Sequence, residues 1–235
     1  RSVARKMNRP DGRRFDELRD IEAKAGIIKR ADGSASFKIG DTIAYAAVYG
    51  PRNLYPKFLQ NPEKGVLRCS YNMMPFSGSG ERIRPGSSRR SKEISLVTQK
   101  ALLPAINLNE FPNSVIDIFI EFPQTDAGSR CAGICAVSIA LAEAGIPMKE
   151  LVAAVAVGLV NGEVAVDLSK EEEDLGGAVD IPIAVTTRSG KISLLQMDGM
   201  IKAEDIKKGV ALGKKACQKI FEIQKKALKE KYNTQ

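Results

Sequence analysis

Histidine and tryptophan are both absent from these 235 residues. Without an imidazole there is no Ser-His nucleophile and no histidine acid or base. Zinc sites of mixed Cys/His type are excluded for the same reason. Cysteine is scarce as well: Cys69, Cys131, Cys135 and Cys217 show no CxxC spacing, and the pair four apart in an apolar stretch reads as buried free thiols. No hydrophobic run reaches the length of a membrane span, and Arg1-Ser-Val-Ala-Arg-Lys6 has no apolar signal region. The expectation is a soluble cytoplasmic protein with no membrane partner.

A hydrophobic content of 43% supplies ample core for one large domain and excludes disordered and fibrous classes. The net charge of +8 is unevenly spread. Residues 1–100 carry 21 Lys/Arg against 10 Asp/Glu, residues 101–200 carry 5 against 14, and residues 201–235 carry 10 against 4. A basic first part suits a polyanionic partner, and the acidic centre is where carboxylate chemistry can lie.

The stretch Asp126-Ala-Gly-Ser-Arg-Cys-Ala-Gly133 stands between an apolar strand at 115–122 and an apolar helix that Gly145-Ile-Pro147 stops. Asp126 is the expected cap. At such a helix start the free amides of Gly128, Ser129 and Arg130 point outward and favour an anion, phosphate above all. A plain Gly-Ser turn into a core helix is the alternative. Arg130 counts against it, because a cation in a first turn opposes the helix dipole unless an anion is near. The same misplacement recurs in a helix with Ile94, Val97, Ala101 and Leu102 at helical spacing, capped by Ser87 or Ser88, with Arg89 and Arg90 in its first turn. Pairing with Glu81 or Glu93 is the structural alternative for these two arginines.

Strands are expected at 21–28, 34–39 and 42–48 as an antiparallel meander, at 67–73, and at 152–160 and 163–168 as a hairpin across Asn161-Gly162. Between Gly50-Pro51 and Arg68 the pattern lapses into a long loop. There Tyr55 and Phe58 either stack on bases while Arg52, Lys57 and Lys64 meet phosphates, or tuck back into the core. In the strand at 179–185, Val179, Ile181 and Ile183 alternate with Asp180, which places this carboxylate on the opposite face. Gly176-Gly177 lets Asp174 fold back toward it. One carboxylate of the two is then available to donate a proton and one to hold a divalent cation. Glu171 to Glu173 read as a solvated acidic loop. The amphipathic helix at 203–231 buries Ile206, Val210, Cys217, Phe221 and Leu228 and turns Lys207, Lys214 and Lys225 outward.

Arg9-Pro-Asp-Gly-Arg, Gly50-Pro-Arg, Ser88-Arg-Arg-Ser, Gln124-Thr-Asp-Ala-Gly-Ser-Arg130, Ala144-Gly-Ile-Pro-Met148 and Glu173-Asp-(five residues)-Asp180 occur in this order, and together they resemble the RNase PH family over nearly the whole chain. Within it, the catalytic ring subunits of archaeal exosomes are the most similar kind. The resemblance implies an α/β (α+β) fold of two related βα halves, with mixed sheets packed by helices. Residues 1–235 would form a single domain with 1–20 as an arm and 203–235 as the C-terminal helix. The implied activity is 3′-to-5′ phosphorolysis of single-stranded RNA, with inorganic phosphate as co-substrate and nucleoside diphosphates as products. The subunit would alternate with a noncatalytic paralogue in a hexameric ring, a trimer of heterodimers, that also carries RNA-binding cap proteins.

By the same resemblance Arg90, Gly128, Ser129 and Arg130 would hold phosphate, and Arg89, Arg52 and Lys57 would bind RNA. Asp174 would be the general acid, and Asp180 would orient the site or join Asp174 in holding a divalent cation, Mg2+. Tyr55-Pro-Lys-Phe58 departs from the His-Pro-Arg-His pattern of relatives, and Pro182 from the lysine of bacterial polynucleotide phosphorylase. A homohexameric RNase PH that trims tRNA ends shares the chemistry, and a noncatalytic RNA-binding ring subunit lacks it. Retention of Arg89, Arg90, Ser129, Arg130, Asp174 and Asp180 argues against the second.

Overall fold

The computed structural model describes residues 9–174 and 179–233. Strands β1 (Ile21–Ala25), β2 (Gly33–Ile39) and β3 (Thr42–Asn53) form the expected antiparallel meander. β3 runs on to Asn53 where an end at 48 was expected, because its ladder loses regular register between Tyr49 and Arg52. Such an irregularity admits Gly50 and Pro51, which a regular central strand would reject. A single 3-10 turn at Lys57–Leu59 follows, and then β4 (Val66–Met73), α1 (Arg89–Leu102), β5 (Ser114–Gln124) and α2 (Ser129–Glu143). β4 pairs in parallel with β5 and closes a five-stranded sheet in the order β1-β2-β3-β5-β4.

The second half supplies β6 (Val152–Val160), β7 (Glu163–Val166), α3 (Lys170–Asp174), β8 (Val179–Thr186), β9 (Ile192–Leu195) and α4 (Ala203–Asn233). Its four strands are antiparallel in the order β7-β6-β8-β9. The β6–β7 hairpin turns through Asn161 (φ 53°) and Gly162 (φ 83°), the left-handed pair that a two-residue hairpin of this sequence demands. The architecture is thus α/β with two sheets, one per half.

α2 is the shared core. It touches β2 and β3 of the first sheet and β6 of the second, so it is buried on every side from Cys131 to Leu141. That explains why its sequence is apolar all round rather than amphipathic. Small residues permit the close approach. A Cβ on Gly33 would stand 2.2 Å from the Ala140 carbonyl, and one on Gly133 would stand 3.3 Å from the Phe122 ring. Truncating a fully buried side chain here, such as Ile134, would cost about 2–5 kcal/mol.

α4 packs against β6, with Lys207, Lys214 and Lys225 outward as expected. Its most buried line runs through Gly209, Gly213, Ala216, Cys217, Ile220, Gln224 and Ala227, whereas Ile206, Val210, Phe221 and Leu228 lie at its margins. Close packing selects the small residues: a Cβ on Gly213 would come within 3.0 Å of Ile183 and 3.2 Å of Val157. Gln224 is buried and its Nε2 donates to the carbonyls of Cys135 (3.2 Å) and Val152 (3.0 Å). Cys131, Cys135 and Cys217 are buried free thiols, and burial pushes Cys135 up to about 12.

The acidic segment is not the solvated loop expected. Lys170–Asp174 is a short helix opened by a capping box: the Ser169 amide donates to the Glu172 carboxylate at 2.9 Å, and the Glu172 amide donates to Ser169 Oγ at 3.4 Å. Glu172 is fully buried, forked by Arg9 through Nε (2.6 Å) and Nη2 (2.7 Å). Arg9 also donates to the carbonyls of Val166 and Asp167, both at 2.8 Å. The Gly176-Gly177 hinge lies outside the described residues.

Candidate active site

A cavity of about 590 Å³ opens where the N-termini of α1 and α2 approach β8 and α3. Arg90, Gly128, Ser129 and Arg130 line it together with Asp180, Asp198, Glu173 and Lys170. Five of the residues singled out in the sequence, Arg90, Gly128, Ser129, Arg130 and Asp180, therefore share one cavity although they are spread over ninety residues of chain.

The anion side is set by backbone shape. Ala127 (φ 57°) and Gly128 (φ 64°) are both left-handed, and Gly128 is the N-cap of α2. That pair turns the chain so that Ser129 and Arg130 start the helix at the cavity, with first-turn amides that have no intrahelical partner. Asp126 does not cap α2, contrary to expectation. Its side chain turns away to accept from Arg19 Nη1 (2.9 Å) and the Lys170 amide (3.2 Å), and Gly128 takes the cap position with no side-chain hydrogen bond.

Ser129 is buried and its Oγ accepts from the Tyr71 hydroxyl at 2.8 Å. The Tyr71 phenol is raised by burial, with Ser129, Arg90 and Arg130 pulling the other way. Arg130 is held by Gln196. In α1, Ser88 is the N-cap in a reciprocal box with Ser91, which fixes Arg89 and Arg90 in the first turn as expected. Among the described residues no ion pair joins either arginine to Glu81 or Glu93.

On the carboxylate side Asp180 belongs to β8, with Val179, Ile181 and Ile183 buried to either side of it in sequence. It forms a reciprocal backbone bridge with Asp198, the amides donating at 3.1 and 2.9 Å. Burial raises its carboxyl, Arg130 opposes, Asp198 adds to the rise and Arg90 opposes again. Asp180 Oδ1 is buried and has no hydrogen-bond partner among the described residues. Glu173 is raised too, by burial and by Asp180, against Lys170, Arg90 and Arg19.

Asp174, Arg89, Arg52 and Lys57 are exposed and do not line the cavity. Asp174 accepts from the Nζ of Lys170 at 2.6 Å, and Lys170 is a cavity residue. Arg52 pairs with Asp32 (3.4 Å) and lies over the Tyr49 ring at 5.0 Å. Tyr55 and Phe58 are 65% and 84% exposed, so the aromatics of this loop do not tuck into the core.

Sequence reasoning missed Lys170, Glu173, Asp198 and Tyr71 as neighbours of the site. The Ser169-Lys-Glu-Glu172 capping box would have announced a helix carrying Lys170 and Glu173. Nothing local marks Tyr71 or Asp198: Asp198 reaches the cavity through its bridge to Asp180, and Tyr71 reaches Ser129 from β4. Among the described residues no group of three His, Cys, Asp or Glu side chains has metal-binding geometry.

Comparison with known proteins gives two adjoining matches, to the models of the 3′ exoribonuclease family, domain 1 over residues 17–147 and domain 2 over residues 150–216. The chain is 51% identical over 224 residues to the exosome complex component Rrp41 of Methanopyrus kandleri, covering 95% of this chain and 93% of that one. It is 50% identical to the component of the same name from Thermococcus kodakarensis, at 95% and 89% coverage. Among solved structures it is similar to rice (Oryza sativa) Rrp46, with a TM-score of 0.84 and 27% identity over 94% of this chain and all of that one. It shares its fold with the Archaeoglobus fulgidus exosome with RNA bound to the active site, at a TM-score of 0.78 and 23% identity over 93% of each chain.

Proposed function

Since the chain belongs to the 3′ exoribonuclease family of RNase PH type, we propose that it is the catalytic ring subunit of an archaeal exosome. It degrades single-stranded RNA from the 3′ end by phosphorolysis. The observation that carries this reading is the cavity itself: Arg90, Arg130 and the N-terminus of α2 line it together with the half-buried carboxylates Asp180 and Glu173. A hydrolase needs no such anion seat for its co-substrate.

Inorganic phosphate binds against the amides and hydroxyl at Gly128 and Ser129 and the guanidinium groups of Arg90 and Arg130, whose planar forks suit phosphate oxygens. Arg89, one residue from Arg90 at the exposed end of α1, grips the RNA backbone near its 3′ terminus. Arg52 and Lys57, with the exposed rings of Tyr55 and Phe58 beside them, guide the strand. A phosphate oxygen attacks the terminal phosphodiester phosphorus, the bond to the 3′-oxygen of the preceding ribose breaks, and a nucleoside diphosphate leaves. Asp174 delivers the proton to that departing oxygen, and Asp180 orients the reacting groups. Run backward, the same steps add 3′ tails.

Asp180, with Asp174, would hold a divalent cation, and the buried Oδ1 of Asp180, without a partner among the described residues, fits that role. Mg2+ takes one or two carboxylates and fills its other positions with water and substrate phosphates, so the lack of a third described side-chain ligand is no obstacle. When bound, the ion supplies charge neutralisation on the transferred phosphate.

The protein acts in the cytoplasm, within a hexameric ring that alternates it with a noncatalytic RNase PH-like paralogue and carries RNA-binding cap proteins. No described helix is long and apolar enough to cross a membrane. Residues 1–235 act as one domain. One core cluster that takes residues from both sheets supports this.

The test is to incubate the chain, alone and with its ring partner, with end-labelled single-stranded RNA, with and without inorganic phosphate. Diphosphates released only when phosphate is present are the expected result. Monophosphates, or no product in the assembled ring, would refute it.

A further inference from the structure

Arg19 is 8% exposed at its side chain and has all three guanidinium nitrogens engaged. Nη1 donates to the Asp126 carbonyl (2.6 Å) and carboxylate (2.9 Å), while Nε and Nη2 reach the two oxygens of Asp167 at 3.0 and 2.7 Å. The other oxygen of Asp126 accepts the amide of Lys170, the first residue of α3. Asp126 begins the loop that runs into α2, and Asp167 precedes α3 by three positions. Arg19 therefore ties the anion loop of the first half to the acidic helix of the second, two pieces of chain that converge on one cavity but share no strand pairing. The loop has a separate support of its own: Thr42 Oγ1 accepts the Asp126 amide and donates to the Ala127 carbonyl, both at 2.8 Å.

We propose that Arg19 is a positioning residue for phosphorolysis, which sets the spacing between the Gly128–Arg130 anion seat and α3 without touching substrate. The inference rests on the functional reading above. An arginine is required at 19 because only its planar fork serves two carboxylates and a carbonyl at once; a lysine keeps the charge and loses the fork.

The test uses the assembled ring and steady-state rates of diphosphate release against phosphate concentration. Arg19→Lys lets α3 drift by a fraction of a helical turn while Thr42 preserves the anion loop. The expected result is a fall in kcat of about 30- to 100-fold with phosphate KM changed by less than about threefold, the size that a misplacement near 1 Å produces. Thr42→Val should show the opposite split, with phosphate KM rising and kcat little altered. A partial loss of folded protein would produce no such reversal between the two variants. A wild-type ring that releases no diphosphate overturns the functional reading and this inference with it. An active wild type beside an Arg19→Lys ring of full kcat, or one in which kcat and phosphate KM move together, overturns the positioning role alone. Should Arg19→Lys lack a cooperative melting transition, Asp126→Asn carries the test, since it leaves the Arg19–Asp167 fork in place. The same split is expected there, and an unchanged kcat overturns the proposal.

Discussion

The hydroxyl of Tyr71 on β4 donates to Ser129 Oγ on the first turn of α2 at 2.8 Å, buried behind the cavity wall. Because Tyr71 is the donor, the Ser129 hydroxyl keeps its own proton free to face an anion. The phenol thus orients the serine.

Tyr71→Phe removes this orientation at nearly constant volume. One net hydrogen bond contributes about 1 kcal/mol, so phosphate KM should rise about fivefold with kcat nearly unchanged. Initial rates against phosphate concentration decide it, and an unaltered KM would return the Tyr71–Ser129 bond to a purely structural role.

Asp174→Asn should lower turnover by about 10²- to 10⁴-fold, the usual worth of a positioned general acid, with RNA affinity retained. Rates of diphosphate release and a binding isotherm on the same preparation separate the two. Turnover near that of the wild type would remove Asp174 from the acid role and direct attention to Glu173, which lines the cavity where Asp174 does not.

Arg89→Glu should weaken RNA binding and flatten its dependence on salt, since an RNA phosphate that the protein does not neutralise keeps its counterion on binding. Affinity measured at several salt concentrations is the readout. An unchanged slope would mean that Arg89, exposed at the start of α1, meets no RNA phosphate.

Glu172 contributes to stability in acid. Burial by itself would raise its carboxyl, but hydrogen bonds from Arg9 and the Ser169 amide, with Arg9 and Arg13 charge nearby, hold it below its ordinary 4.5. A depressed carboxylate stabilises the fold above its unfolded value, and that contribution is lost as pH falls through the folded one. The wild type should therefore lose stability on acidification below about pH 4.5, and Glu172→Gln should lose less over the same window. At neutral pH the variant should be weaker by about 3–5 kcal/mol, because Arg9 is left as a buried charge without its partner. Urea titrations at pH 7 and pH 4 test both statements, and parallel losses in the two proteins would refute them.

The two helix starts that carry Arg89, Arg90 and Arg130 were legible because their causes are local. A Gly-Ser-Arg start to an apolar helix and an Arg-Arg pair behind a serine cap break the dipole rule at two places, and a rule broken twice in a basic chain points to an anion. The Asn161-Gly162 hairpin and the strand alternation around Asp180 were legible for the same reason: period and turn chemistry are properties of neighbouring residues. Asp126 was misread because its side chain answers to Arg19 and Lys170, and neither is near it in sequence. Glu172 was misread as solvated because the buried arginine that claims it lies at position 9.

From the sequence alone follow the absence of imidazole chemistry and most of the strands and helices, since these depend on composition and on side-chain period, caps and turns within a few residues. Only the tertiary structure decided which of those residues face one cavity. Sheet order and the burial of α2 between two sheets bring β4, β8, α1 and α3 together across long stretches of chain, and buried charges such as Arg9 and Arg19 choose their partners by where the fold excludes water.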